Sequence, residues 1–109
     1  MPHYLLQVAY STEGWRSLVK SPQNRIEAVR PVIEKLGGKI ESAWFSFGEF
    51  DVVLVLQLAD NVDAAALSMT FAAGGALRTA KTTPLLSGAE AVEAMRKAGA
   101  SGYSAPRAS

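Results

Sequence analysis

Five consecutive apolar residues, Val52-Val53-Leu54-Val55-Leu56, follow directly on the turn-forming run Gly48-Glu49-Phe50-Asp51, and they constrain this chain more than any other feature. Branched aliphatic residues bounded by a turn signal read as a short strand. A strand without polar alternation is covered on both faces. A chain of 109 residues builds one domain with one modest core. Its helices can cover one face of a sheet and have little left for the other. The second face therefore predicts another copy of the chain.

The neighbouring segments supply the rest of such a sheet. From His3 to Tyr10, Tyr4, Leu6, Val8 and Tyr10 alternate with Leu5, Gln7 and Ala9, the period of a strand. Ser11 or Thr12 caps a short helix over 13–20, which Gly14 interrupts early. Ser21, with Pro22 at the first helical position, predicts a second helix reaching Leu36. Its apolar stripe is Ile26, Val29, Ile33 and Leu36; Pro31 should bend it, and Gly37-Gly38 ends it. A second strand runs over 39–47, with Ile40, Trp44 and Phe45 as its bulky members, and the third over 51–59. Asp60 or Asn61 caps a helix to about Ala73, with Val62, Ala65, Ala66, Met69 and Phe71 as candidate inward residues. The half-polar alternation over 77–83, closed by Pro84, suits an edge strand. Ser87 and Glu90 have capping-box spacing for a last helix. One domain is thus expected over 1–98, with a flexible tail over 99–109, where small and polar residues surround a proline.

The order β-α-β-β-α-β plus a C-terminal helix is an α+β arrangement. Right-handed crossovers put both main helices on one face of a four-stranded antiparallel sheet, with strands one and three in the centre. Leu6, Val8, Leu54, Leu56 and Leu58 then face the helices. Leu5, Gln7, Ala9, Val53, Val55 and Gln57 form the opposite face, too apolar for water and too polar for a sealed core. Three readings of that face stay open, one of them full exposure to solvent. Otherwise it is a subunit interface with paired amides, or it walls a ligand cavity between sheet and partner, with Gln7 and Gln57 as orienting groups.

Composition removes several function classes. Eleven basic residues against ten acidic ones leave a net charge of +1, with no basic stripe to hold nucleic acid by bulk charge. The chain has no cysteine, hence no disulfide, thiolate nucleophile or cysteine-based metal site. Its apolar runs fall far short of the roughly 18 residues of a membrane span, and no charged segment precedes an apolar one at the start. The expectation is a cytoplasmic protein without metal or cofactor. His3, the one histidine, is expected at the surface or an interface.

Few residues invite chemistry. Glu49 and Asp51 flank Phe50, and in a turn an aspartate more often caps backbone N–H groups than performs acid–base work. Asp51 could also pair with Arg78 or Lys20. For a small anionic ligand, Arg78 is the first candidate and Lys20 the second. Trp15, Trp44, Phe45, Phe47 and Phe50 belong to core or interface, Trp44 being the candidate wall for a planar ligand.

Met1-Pro2-x-Tyr4 before an apolar strand, Ser21-Pro22, Leu36-Gly37-Gly38-Lys39, Gly48-Glu49-Phe50-Asp51 and Arg78-Thr79 occur in the order that resembles the GYD domain family. Phe50 stands where the family carries its tyrosine, so a role for that hydroxyl does not transfer. The resemblance covers about residues 1–98. It implies a ferredoxin-like fold, similar to dimeric α+β barrel proteins, and carries no activity with it. The leading expectation is a homo-oligomeric module that binds a small organic molecule, an anionic one if Arg78 is what meets it. The alternatives are a cofactor-independent monooxygenase or isomerase of the barrel type, and a purely structural or interaction subunit.

Overall fold

In the computed structural model, which describes residues 1–106, strand β1 (His3–Tyr10) lies beside strand β3 (Val52–Gln57) at the centre of one sheet. Strand β2 (Lys39–Phe45) flanks β3, strand β4 (Leu77–Leu85) flanks β1, and the order is β2-β3-β1-β4. All neighbours are antiparallel, and Leu6 lies opposite Leu54, Gln7 opposite Val53. With helices α1 (Thr12–Lys20), α2 (Arg25–Lys35), α3 (Asn61–Gly74) and α4 (Gly88–Gly99), this is a ferredoxin-like α+β fold with an added C-terminal helix. No helix among the described residues is long and apolar enough to cross a membrane.

The helix-facing side of the sheet makes the core. Tyr4, Leu6, Val8, Leu54, Leu56 and Leu58 are buried, with Ile26 and Ile33 from α2 and Ala64 and Leu67 from α3. The strand period and the α2 stripe thus meet as the alternation required. The phenol of Tyr4 donates to Asn61 Oδ1 at 2.7 Å, which satisfies the polar atom that this ring carries into the layer.

Several boundaries differ from the sequence reading. Ser21 does not start α2; its N–H donates to the Ser17 carbonyl and closes α1. Asn24 caps α2 instead, its side chain accepting from the Ile26 N–H at 3.1 Å, so Pro22 lies in the connection. β2 stops at Phe45, and β3 spans 52–57. β4 runs on through Pro84, which an outer strand tolerates because its missing N–H can face away from the sheet. In α3 the inward residues are Ala64, Leu67 and Phe71; Val62 and Met69 point outward, and Ala65 is exposed. A helix apolar nearly all round offers several stripes. The contact of Ser68 Oγ with Thr82 Oγ1 at 2.9 Å accompanies the one adopted.

Two glycines mark close approaches. A Cβ on Gly38 would lie 2.8 Å from the Gln57 carbonyl, and one on Gly14 would collide with the Ala76 carbonyl. The early glycine of α1 therefore serves tertiary contact, letting the helix abut the α3–β4 junction.

α4 stands apart. Its capping box is complete, yet every residue in it except Ala91 is exposed. The molecule measures 60 × 37 × 22 Å with a radius of gyration of 17.8 Å, against about 13 Å for a compact chain of this length. The C-terminal tail begins as coil at 102–106, and its last residues, 107–109, lie outside the described residues.

Candidate functional site

α2 leans toward β2 and α3 rests on β4, and the two helices scarcely touch. The gap between them opens a cleft of about 280 Å³ over the central strands. Leu6, Val8 and Leu54 form its floor, Ile26 and Val29 one wall, Phe71 the other. Its polar lining residues are Thr70 of α3, Tyr10, which closes β1, and Arg25, which opens α2 just after the Asn24 cap; the last two lie near one another, the Arg25 charge acting on the Tyr10 phenol.

Tyr10 is half-buried and lies edge-on to Trp15, ring centres 5.3 Å apart. Burial raises its pKa above the ordinary 10.0; the nearby Arg25 charge opposes the rise and the Asp51 carboxylate adds to it. The phenol is therefore a neutral hydrogen-bond donor at physiological pH. One Arg25 N–H group donates to Gln23 Oε1 at 3.0 Å.

Asp51 holds the hairpin to the sheet. Its carboxylate accepts the Tyr10 N–H at 3.0 Å, and its own N–H donates to the Val8 carbonyl at 2.7 Å. Arg78 donates to the Glu49 carbonyl at 3.2 Å, so the Gly48–Asp51 turn is tied from both ends. Asp51 accordingly meets backbone, and neither Arg78 nor Lys20 forms an ion pair with it among the described residues. Lys20 is exposed at the end of α1. Arg78 also borders an open depression of about 490 Å³ with Met69 and Ala72.

Gln7, Gln57 and Trp44 all lie on the side of the sheet away from the helices. They do not converge. Gln57 is opposite His3, four residues along β1 from Gln7 and hence about 13 Å away. Trp44, 69% exposed, stands on β2 opposite Val53. A residue that sequence reasoning passed over joins this face. The register of β2 slips between Ile40 and Ser42, and Glu41 in that irregularity accepts from Gln57 Nε2 while His3 Nε2 lies 3.0 Å from the same oxygen. The Gln57 hydrogen bond, then that of His3, holds the Glu41 carboxyl below its usual range. Among the described residues no three His, Cys, Asp or Glu side chains are grouped to hold a metal ion.

The sequence candidates thus divide among three places: Gln7, Trp44 and Gln57 on the open sheet face, Asp51 and Arg78 at the hairpin, Lys20 alone. The cleft residues Tyr10 and Arg25 were not among them. The only sequence signal for them is positional, since both stand at element ends adjoining the apolar stripes. Comparison with curated proteins and with solved structures returned no match. A family model, described as the GYD domain, matches residues 4–95. That span takes in β1 through most of α4, including the hairpin and both ends of the cleft, and the chain belongs to the GYD domain family.

Proposed function

We propose that this protein is a homo-oligomeric module that binds a small organic molecule. The observation that carries the reading is the apolar cleft between α2, α3 and the sheet, with the Tyr10 phenol and the Arg25 guanidinium near one another in its lining. Such a pattern, greasy walls with a few convergent polar groups, is what small-molecule sites share. The volume of about 280 Å³ suits a compact ligand. Binding is favoured over catalysis because, among the described residues, Tyr10 is the one titratable acid lining the cleft, and acid–base chemistry normally needs a partner of different pKa beside it. The monooxygenase or isomerase alternative therefore rests on likeness of fold alone.

The oligomeric part rests on two surfaces. Leu5, Val53 and Val55 are incompletely covered on the open sheet face. On α4, Val92 and Met95 are exposed and share one stripe with Gly88 and Gly99 at its ends. That stripe is self-complementary: two antiparallel α4 helices place Val92 of each against Met95 of the partner subunit. A second copy laid over the sheet would also cover Gln7 and Trp44.

A thermal-shift screen of small aromatic acids and quinones tests the binding reading. A ligand at a hundred times its Kd adds about 2.7 kcal/mol of stability, a readily measured shift. Val29→Phe, which fills the cleft, should abolish the response. The absence of any shift across the library leaves the structural or interaction reading in its place.

A further inference from the structure

Granted the binding reading above, we infer that the cleft selects a flat apolar molecule carrying one anionic head, of the aromatic monocarboxylate class, with the head held between Arg25 and Tyr10. Three observations bear on this. The walls and floor are aliphatic or aromatic, with Phe71 on one side and Val29 and Ile26 on the other, so the body of the ligand is apolar. The volume is about 280 Å³. A dry cavity of roughly 150 Å³ admits one benzene ring, so this one admits a bicyclic ligand of about a dozen heavy atoms. The third observation is the placement of charge.

Among the described residues, Arg25 brings the one cationic side chain lining the cleft, and it does so at the Tyr10 end. Of its guanidinium nitrogens, Nη1 is engaged by Gln23 Oε1. The remaining N–H groups form the fork that matches a carboxylate. The Tyr10 hydroxyl is a second donor at the same end. Two groups of opposite character lie close by. Gly74, the last residue of α3, lines the same end, and helix C-terminal carbonyls disfavour an anion. Asp51 lies behind the Tyr10 backbone, where its carboxylate is already occupied by the Tyr10 N–H. The α3 dipole's influence fades within a turn, and the Asp51 carboxylate, a full charge, lies outside the cleft lining and acts on the Tyr10 phenol less strongly than Arg25 does. Thr70 cannot take over the donor role, as its hydroxyl donates to the Ala66 carbonyl at 2.9 Å.

The test compares 2-naphthoate with its neutral methyl ester by titration calorimetry, on the full chain and on four variants whose folding is checked by circular dichroism. Wild-type protein should bind the acid at least tenfold more tightly than the ester. Arg25→Gln should erase that preference, Tyr10→Phe should reduce it several-fold, and Arg30→Gln, a surface arginine of the same helix paired with Glu27, should leave it intact. Val29→Phe should abolish binding of both probes. If acid and ester bind equally and Val29→Phe removes both, the cleft is a ligand site and the anionic class is wrong. The assignment of the head to Arg25 is equally overturned if the acid preference survives Arg25→Gln. If neither probe binds wild-type protein, the binding reading falls together with this inference.

Discussion

Asp51 repays attention to single atoms. It closes the hairpin by taking the Tyr10 N–H and giving its own N–H to Val8, both across to the central strand. Removing the acceptor strands a partly buried donor, and such losses cost about 1–3 kcal/mol. Asp51→Ala should therefore lower the denaturant midpoint by an amount in that range, and Asp51→Asn, which keeps an acceptor oxygen, by less. Tyr10 reports on the same region. Its phenol ionises above its ordinary value because burial outweighs the opposing Arg25 charge. Arg25→Gln should push its titration higher and Asp51→Asn should bring it down, as read by ultraviolet difference spectra against Tyr10→Phe. A raised phenol pKa favours the fold below pH 10.0, and that contribution is lost as pH climbs through the folded value. The turn role of Asp51 is legible from its type and neighbours. Tyr10 and Arg25 are not, because nothing in a strand end and a helix start says that they meet across 15 residues of chain.

Elements divide by how many stripes they offer. β3 is apolar throughout, yet its faces are unequal: Leu54 and Leu56 are buried, Val53 and Val55 only half so. Leu56→Ala should destabilise the isolated chain by about 2–5 kcal/mol, and Val55→Ala by much less, in urea melts at low protein concentration. β1 and α2 are readable because each has one consistent period. α3 misleads because an almost wholly apolar helix fits more than one stripe, and its Ser68–Thr82 contact is visible only once β4 is in place. The start of α2 misleads because Ser21 and Asn24 are both good caps, and Ser21 is already committed to ending α1. The Glu41 irregularity lies beyond reach, since a register slip has no signature in side-chain alternation alone. α4 is read correctly from sequence: its capping box is local chemistry and needs no tertiary partner. Glu90 titrates below its ordinary 4.5, chiefly through its hydrogen bond with the Ser87 backbone. A depressed carboxyl pKa supports structure above 4.5 and withdraws that support as pH falls through the folded value. The helical signal of α4 should thus decline in acid, and Glu90→Gln should flatten that decline.

At the scale of the whole molecule, the chain is extended for its length and leaves apolar side chains uncovered on two surfaces, the open sheet face and α4. Light scattering coupled to size exclusion should give a mass of at least two chains. Val55→Lys on the sheet and Met95→Lys on α4 each place a charge on one of those surfaces, and each should lower the measured mass while leaving the core folded. A wild-type mass of one chain would remove the homo-oligomer from the proposed function and leave the cleft reading untouched.

The projecting helix has a consequence that mass action makes visible. A segment of this length is marginal in water when nothing lies against it, and α4 rests on almost nothing of its own chain. Diluting the protein should therefore unwind α4 before the sheet loosens, so that ellipticity per residue depends on concentration while the Trp15 and Trp44 environments follow separate curves.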